Sequence, residues 1–535
     1  MTLLRTPEDN LRVSVVVPAR NEEGLIRACL EALLAQENVA PDEYEVILVL
    51  DNCTDNTEIG AREFWNEHPD LCLHLMDGPG KGAGHARRMG MDAACQRLLD
   101  LGKPEALISS TDADTVVAPN WLYTQLTHAS RGAKAIGGRI ELAEEEDLPE
   151  TVVHWRRHQG TTRHNNLLSQ HDRSSSNVIE HWQFSGASLS LSATVYREIG
   201  GLEPRAALED EYLERVLKQR GVPIERPLDV RVTTSARTNG RADRGLARDL
   251  ALASWYQGNT YRASKFDVTN LLEMKRSPVS LILPGEPYSY ETLSRLAELW
   301  EVGLLDEVLI VAPHHATEVC PQAIEVRLVE DALPQFGPIR GYGDLLWRGL
   351  SMARGDRILA LDPGREDSVI ERACGLLGPL LQRPELSLVK GFRSSSTPLA
   401  ELVARPLLNL YHPELSGFVE PLSRDFGARK ELLMGLPFPV GAGLDISLLL
   451  DAAGHAGLES LAQSCLVEGS EESSSGDSET SYAILAAAAS RIPGADSEDL
   501  TPGPLFVPGP ENLTTLSVPV EERPPLNSLA AVEPL

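Results

Sequence analysis

The sequence predicts an α/β protein made of two tandem units on mostly parallel sheets, with an acidic tail behind them. Three observations lead there. Through the first half of the chain, short β-branched runs alternate with helical stretches that show one apolar face. Val279-Ser280-Leu281-Ile282-Leu283-Pro284 then repeats the opening pattern Val13-Ser14-Val15-Val16-Val17-Pro18, which marks a second unit of the same kind. From Gly469 onward the chain is rich in Ser, Glu, Gly and Pro, and Arg491 and Arg523 are its only basic residues there, a composition that favours partial disorder. The expected boundaries are residues 1–275, 278–468 and 469–535.

A chain of 535 residues is long enough for more than one core. Its 42% hydrophobic and 24% charged content is ordinary for a soluble globular protein, and no apolar run approaches the ~20 residues that cross a bilayer. The N-terminus lacks a basic region followed by a long apolar core, so no signal peptide is expected. The seven cysteines are scattered, without metal-clamp or redox-pair spacing, which fits a reducing cytoplasm. A formal net charge of −29 excludes nucleic acid or an anionic membrane as a whole-surface partner.

Residues 13–17 form a buried parallel strand ended by Pro18, and Asn21 is placed to cap the next helix. On that helix Ile26, Cys29, Leu30, Leu33 and Leu34 recur at helical spacing. Residues 46–50 are the second strand, followed by Asp51. Residues 71–75 are the third, followed by the turn Gly78-Pro79-Gly80-Lys81-Gly82-Ala83-Gly84 and a helix carrying Arg87 and Arg88. Residues 106–110 are the fourth, running into Thr111-Asp112-Ala113-Asp114, with the next helix expected from Pro119. The stretch 141–180, polar and rich in histidine, is expected to be a surface lid or acceptor loop. Residues 184–192 alternate as a strand, and Glu209-Asp210-Glu211 opens a helix whose dipole favours acids in its first turn. Residues 234–241, carrying Arg237 and Arg241, follow a further strand.

Ligands of parallel sheets bind beyond the carboxyl ends of the strands. Pro18, Ala19, Arg20, Asn21 and Glu22, Asp51, the Lys81 turn and residues 112–114 all fall there. Residues two apart past a strand end can face the same way, so Asp112 and Asp114 can give oxygen ligands to one hard cation, Mg²⁺ or Mn²⁺. Asp51 can accept an N–H from a base, and Lys81, Arg87, Arg237 and Arg241 can balance a diphosphate. The glycine turn is neither a Walker A motif nor a dinucleotide fingerprint.

An Asp-x-Asp, then a glycine pair at Gly200-Gly201, then Glu209-Asp210 opening a helix resembles the family 2 glycosyltransferases of the GT-A fold, over residues 11–225. The resemblance implies that Asp112, Ala113 and Asp114 serve metal and donor, that Asp51 contacts the base, and that the Glu209-Asp210 pair holds the catalytic base. It implies a UDP- or GDP-sugar donor and a small-molecule or lipid-linked acceptor. Asp210 is assigned the base role, with inversion at the anomeric carbon. Homodimer formation stays open.

The second unit resembles glucosyl-3-phosphoglycerate synthases, which are retaining glycosyltransferases, through Leu346-Trp347-Arg348, residues 388–392, 401–408, 413–415 and 432–438, and Glu522-Arg523-Pro524-Pro525-Leu526. Its departures fall on the chemistry. Pro363-Gly364 follows Asp362 where a second metal carboxylate is expected, Tyr342 replaces the glycine-loop lysine, Val311-Ala312-Pro313-His314 replaces an acidic turn, Ser396-Thr397-Pro398 replaces an acceptor stretch, and residues 468–480 replace a histidine region. A degenerate copy is therefore expected. The alternative functions are glucosyl transfer to 3-phosphoglycerate and a non-catalytic nucleotide-sugar-binding scaffold.

Overall fold

The computed structural model describes residues 4–144, 148–170, 177–205, 207–238, 240, 245–285, 288–312, 321, 324–328, 332–362, 368–393, 396–467, 478–492, 505–508, 513–516, 518 and 520–529. The chain divides into two compact units, Met1–Ser254 and Trp255–Leu535.

The first unit runs β1 (Val13–Ala19), α1 (Ile26–Leu34), β2 (Tyr44–Leu50), α2 (Thr57–Glu67), β3 (Leu73–Asp77), α3 (Ala83–Asp100), β4 (Leu107–Ser110), β5 (Thr115–Val117), α4 (Trp121–Ser130), β6 (Ala135–Gly137), β7 (Arg139–Leu142), α5 (Glu150–Gln170), β8 (Leu189–Ser192), α6 (Ala193–Glu198), α7 (Glu209–Gln219) and β9 (Arg231–Thr234). Its main sheet has the order β3-β2-β1-β4-β8-β6. The first four of these strands are parallel, and β8 is antiparallel to both β4 and β6. A small sheet β5-β9-β7 lies apart from it. Because side chains alternate along a strand, Val13, Val15, Val17, Val46, Leu48 and Leu50 pack with α1 and α2, while Val16, Ile47 and Val49 pack with α3 on the other face. Both faces are covered by helices, which is why these strands read as continuous apolar runs.

Strand order reverses between β1 and β4, the point at which such sheets open a ligand crevice. Several local expectations need correction here. Asn21 does not cap α1, whose N-terminal flank is Leu25. It takes a left-handed conformation (φ 57°), and its Oδ1 accepts the Thr54 N–H at 2.7 Å, tying the ends of β1 and β2 together. The helix after the paired acids starts at Trp121 rather than Pro119, with β5 in between. The strand expected over 184–192 is confined to β8, whose residues are all buried, because both of its edges are paired. The stretch expected to be a loop over 141–180 contains α5, a helix of 21 residues.

The second unit begins inside α8 (Leu246–Asn259) and continues through β10 (Thr260–Arg262), α9 (Val268–Met274), β11 (Val279–Pro284), α10 (Tyr290–Glu301), β12 (Glu307–Ala312), β13 (Glu325–Leu328), α11 (Tyr342–Met352), β14 (Arg357–Ala360), α12 (Val369–Gln382), β15 (Leu388–Arg393), α13 (Arg405–Tyr411), β16 (Phe426–Arg429), α14 (Lys430–Met434), β17 (Phe438–Pro439), α15 (Leu444–Ala456), β18 (Leu461–Val467) and α16 (Ser478–Ala489). Its sheet is β10-β18-β15-β16-β14-β11-β12-β13. The run β13-β12-β11-β14 is parallel, and β16 adds antiparallel to β14, the same order as β3-β2-β1-β4-β8. In both units a glycine lets the helix after the third strand settle on the sheet. A Cβ at Gly90 would overlap Val16, and one at Gly349 would overlap Ile282 and Val311.

Candidate active site

The chemistry gathers beyond the carboxyl ends of β1 and β4. Asp112 and Asp114 follow β4, and the backbone between them is held by Thr115 N–H donating to Asp112 O at 3.1 Å and Ser235 N–H donating to Asp114 O at 3.1 Å. Ala113, buried between them, belongs to the core on the α1 face. The two carboxylates meet different cations. Asp112 Oδ1 accepts from Arg87 Nη2 at 2.7 Å, and Asp114 Oδ2 lies 2.7 Å from Arg237 Nη2. Arg237 also grips Glu22 with both terminal nitrogens at 2.8 Å.

Arg87 is the hub. It is 3% exposed, and its Nε donates to Glu209 Oε1 at 3.0 Å while Nη1 donates to Ser110 Oγ at 2.5 Å and to Gly186 O at 3.0 Å. One buried guanidinium thus joins the end of β4 to the acids opening α7. Gly186 N–H in turn donates to Asp210 Oδ2 at 3.0 Å. A side chain at Gly186 would collide with the Arg87 guanidinium, and one at Gly84 would collide with Arg205 O. Glycine at 186 lets the backbone before β8 lie against Arg87, and glycine at 84 lets α3 approach Arg205 O and Glu209.

The electrostatics follow from this packing. Burial pushes the Asp114 carboxyl up to about 6, the Asp112 charge adds to the rise, and Arg237 opposes it. Glu209 is likewise raised by burial, against Arg87 and with Asp210 adding to the rise. Burial disfavours the Arg87 charge, yet Asp112 and Glu209 outweigh it and hold the guanidinium above its ordinary range. Acids packed closely enough to raise one another are short of positive charge, and two arginines supply it here.

Asp51 is 1% exposed, and its carboxylate accepts the Gly80 N–H at 2.6 Å and the Gly82 N–H at 2.9 Å. It therefore shapes the glycine turn in which Lys81 stands exposed. Pro18 and Ala19 are buried at the end of β1, and Arg20 is exposed beside them. Glu22 N–H donates to Thr57 Oγ1 at 2.6 Å. Arg241 lies outside the described residues, as do Pro313, His314, Pro363, Gly364 and 468–477. Sequence reasoning missed Ser110 and Gly186, which touch Arg87. The signal was faint: a serine ending an apolar strand and a glycine before another.

Elsewhere in the unit, Glu45, Cys72 and His74 place ligand atoms within 4.8 Å of one another. Arg97 fills that position, donating to Glu45 Oε1 at 2.9 Å and Oε2 at 2.5 Å.

A family model described as glycosyl transferase family 2 matches residues 14–183. Glucosyl-3-phosphoglycerate synthase from Petrotoga mobilis is 34% identical over 229 residues, covering 38% of this chain and 70% of that protein. Its namesake from Mycolicibacterium smegmatis is 32% identical over 229 residues, covering 39% and 75%. The crystal structure of glucosyl-3-phosphoglycerate synthase from Mycobacterium tuberculosis in complex with Mn²⁺, uridine-diphosphate-glucose and phosphoglyceric acid is similar at 29% identity and a TM-score of 0.42, covering 49% of this chain and 95% of that one. With paired acids and an acid-opened helix joined through Arg87, and with these relatives, the chain belongs to the glycosyltransferase family that includes the glucosyl-3-phosphoglycerate synthases.

Proposed function

We propose that the first unit transfers a sugar from a UDP- or GDP-sugar to a hydroxyl acceptor with the help of Mg²⁺ or Mn²⁺, and that Asp210 takes the acceptor proton. The observation that carries this is the bridge from Asp112 through Arg87 to Glu209, which sets the leaving-group side and the proton-accepting side of one crevice at a fixed separation. Asp112 and Asp114 would hold the cation. Their hard oxygen donors suit it, and a cation would offset the burial and the Asp112 charge that raise the Asp114 carboxyl. Such an ion stabilises charge on a departing diphosphate.

The chain's own residues do the rest. Arg237 is less buried than Arg87 and sits on the segment after β9, so it can pass from Asp114 to a diphosphate oxygen while Arg87 stays in place. Lys81 faces solvent and meets the phosphates from the turn that Asp51 shapes. Asp210, fixed by Gly186 N–H on one oxygen and by Glu211 N–H on the other at 2.9 Å, receives the proton.

The relatives' name favours a second reading, glucosyl transfer to 3-phosphoglycerate. The test combines UDP-glucose or GDP-glucose with 3-phosphoglycerate and Mn²⁺, with product detection by proton NMR. A β-anomeric coupling in the product supports Asp210 as inverting base, whereas an α coupling assigns the chain the retaining reaction and removes that role. In the second unit, Pro363-Gly364 follow Asp362 in the sequence where the resembled family carries a second metal carboxylate, which supports a non-catalytic copy.

A further inference from the structure

Asp114 already has a positive partner. Arg237 Nη2 lies 2.7 Å from Asp114 Oδ2, and the same guanidinium grips Glu22 through both terminal nitrogens at 2.8 Å. The other Asp114 oxygen faces Thr115 Oγ1 at 3.4 Å and Thr234 Oγ1 at 3.5 Å. Mg²⁺ sits about 2.1 Å from a carboxylate oxygen. Were Nη2 to stay, two like charges would share one oxygen in a place where burial weakens screening by water. Guanidinium and divalent ion are therefore alternatives at Asp114 Oδ2.

Of the two arginines at the site, Arg237 is the one able to yield. Arg87 is buried and donates to Glu209, Ser110, Gly186 and Asp112 at once. The Arg237 side chain is 26% exposed, and solvent also reaches Asp112, whose side chain is 33% exposed, and Asp114, at 16%. The backbone beneath Arg237 is anchored, because Ala236 is buried and Ser235 N–H donates to Asp114 O at 3.1 Å. A swing of the side chain alone, from a fixed base, uncovers Oδ2.

A diphosphate supplies the reason to swing. It offers the guanidinium fork a pair of anionic oxygens in bidentate geometry, and Asp114, once released, keeps its charge balanced by taking the ion. Each half of the exchange is costly alone: an ion without the donor must evict Arg237, and a donor without the ion draws Arg237 from Asp114 and leaves that carboxylate uncompensated. Two ligands that each relieve the other's cost bind cooperatively, and the coupling is reciprocal. We propose that Arg237 stands in for the cation at Asp114 until the donor arrives, which couples metal binding to donor binding. The inference rests on Asp112 and Asp114 as the proposed holders of the cation.

The test reads free Mn²⁺ by electron paramagnetic resonance in titrations of the full chain, without UDP and with saturating UDP, against a protein-free blank. It compares the wild type with Arg237→Ala, Arg237→Gln, Lys81→Ala and Asp114→Asn. Without UDP, both Arg237 variants are expected to bind Mn²⁺ about tenfold or more tightly than the wild type. Lys81→Ala, which removes an exposed charge from the neighbouring turn, should change that affinity less than about twofold. UDP should tighten Mn²⁺ binding more in the wild type than in the Arg237 variants. Equal Mn²⁺ affinity of the wild type and both Arg237 variants without UDP overturns the inference, and so does an equal gain in Lys81→Ala, the mark of a general field effect. In either case loss of binding in Asp114→Asn leaves the cation site itself standing. If the wild type with UDP takes up no Mn²⁺ beyond the blank, the cation site falls and the inference falls with it.

Discussion

Arg87 shows how one side chain can organise a site without facing solvent. Removing its charge leaves Glu209, whose side chain is 8% exposed, buried without its partner. Loss of one member of a buried pair costs about 3–5 kcal/mol. Arg87→Leu is accordingly expected to lower the urea midpoint of the full chain by an amount equivalent to about 3 kcal/mol. Asp210 is a different case, since its two oxygens accept from separate backbone N–H groups and an asparagine keeps one of those acceptors. Asp210→Asn should leave donor affinity intact and cut kcat about 10²–10⁴-fold, which steady-state kinetics beside a UDP titration will separate. Asp114→Asn takes one oxygen from the proposed cation site. Mn²⁺-dependent stabilisation by UDP, read as a thermal shift, should disappear in that variant while metal-free melting persists.

At the scale of elements, α3 carries most of the consequences. It supplies Arg87, and it reaches the sheet only because Gly90 has no side chain over Val16 and Val49. Gly90→Ala should destabilise the chain by about 1–3 kcal/mol through overpacking, and it should also lower activity by shifting Arg87. A urea titration alongside kinetics will show both effects. The parallel strands β1 and β2 were legible because burial on both faces leaves an unbroken apolar run. Helix α5 was not, because its sequence has no continuous apolar face. What it has instead comes from distant chain: Trp182 lies under Gly160, Arg163 sits 4.7 Å over the Trp182 ring, and Val152 is fully buried. Local propensity carries no record of such contacts.

For the whole molecule, acid response is set by groups far from the crevice. Burial opposes ionisation of Glu45, yet hydrogen bonds from Arg97 and His74 outweigh it and bring its carboxyl down from 4.5 to about 2. A depressed carboxylate stabilises the fold fully above its unfolded value, and that stability is lost as pH falls through the folded one. Roughly 3 kcal/mol should therefore drain away between about pH 4.5 and about pH 2. Glu45→Gln should flatten the pH dependence of the urea midpoint in that window. Among the described residues no helix is long and apolar enough to cross a membrane.

The amino-acid order by itself determined the alternation of strands and helices, the repeat of Val13–Pro18 at Val279–Pro284, and the residue types at the strand ends. Those features are local, and burial periodicity writes them directly into the chain. Only the tertiary structure decided how they meet. It gave the Asp51 oxygens to the Gly80 and Gly82 N–H groups and tied Asp112 to Glu209 through Arg87. The physical reason is separation along the chain: Arg87 and Glu209 stand 122 residues apart, and nothing in the spacing of either reports which partner the fold will bring.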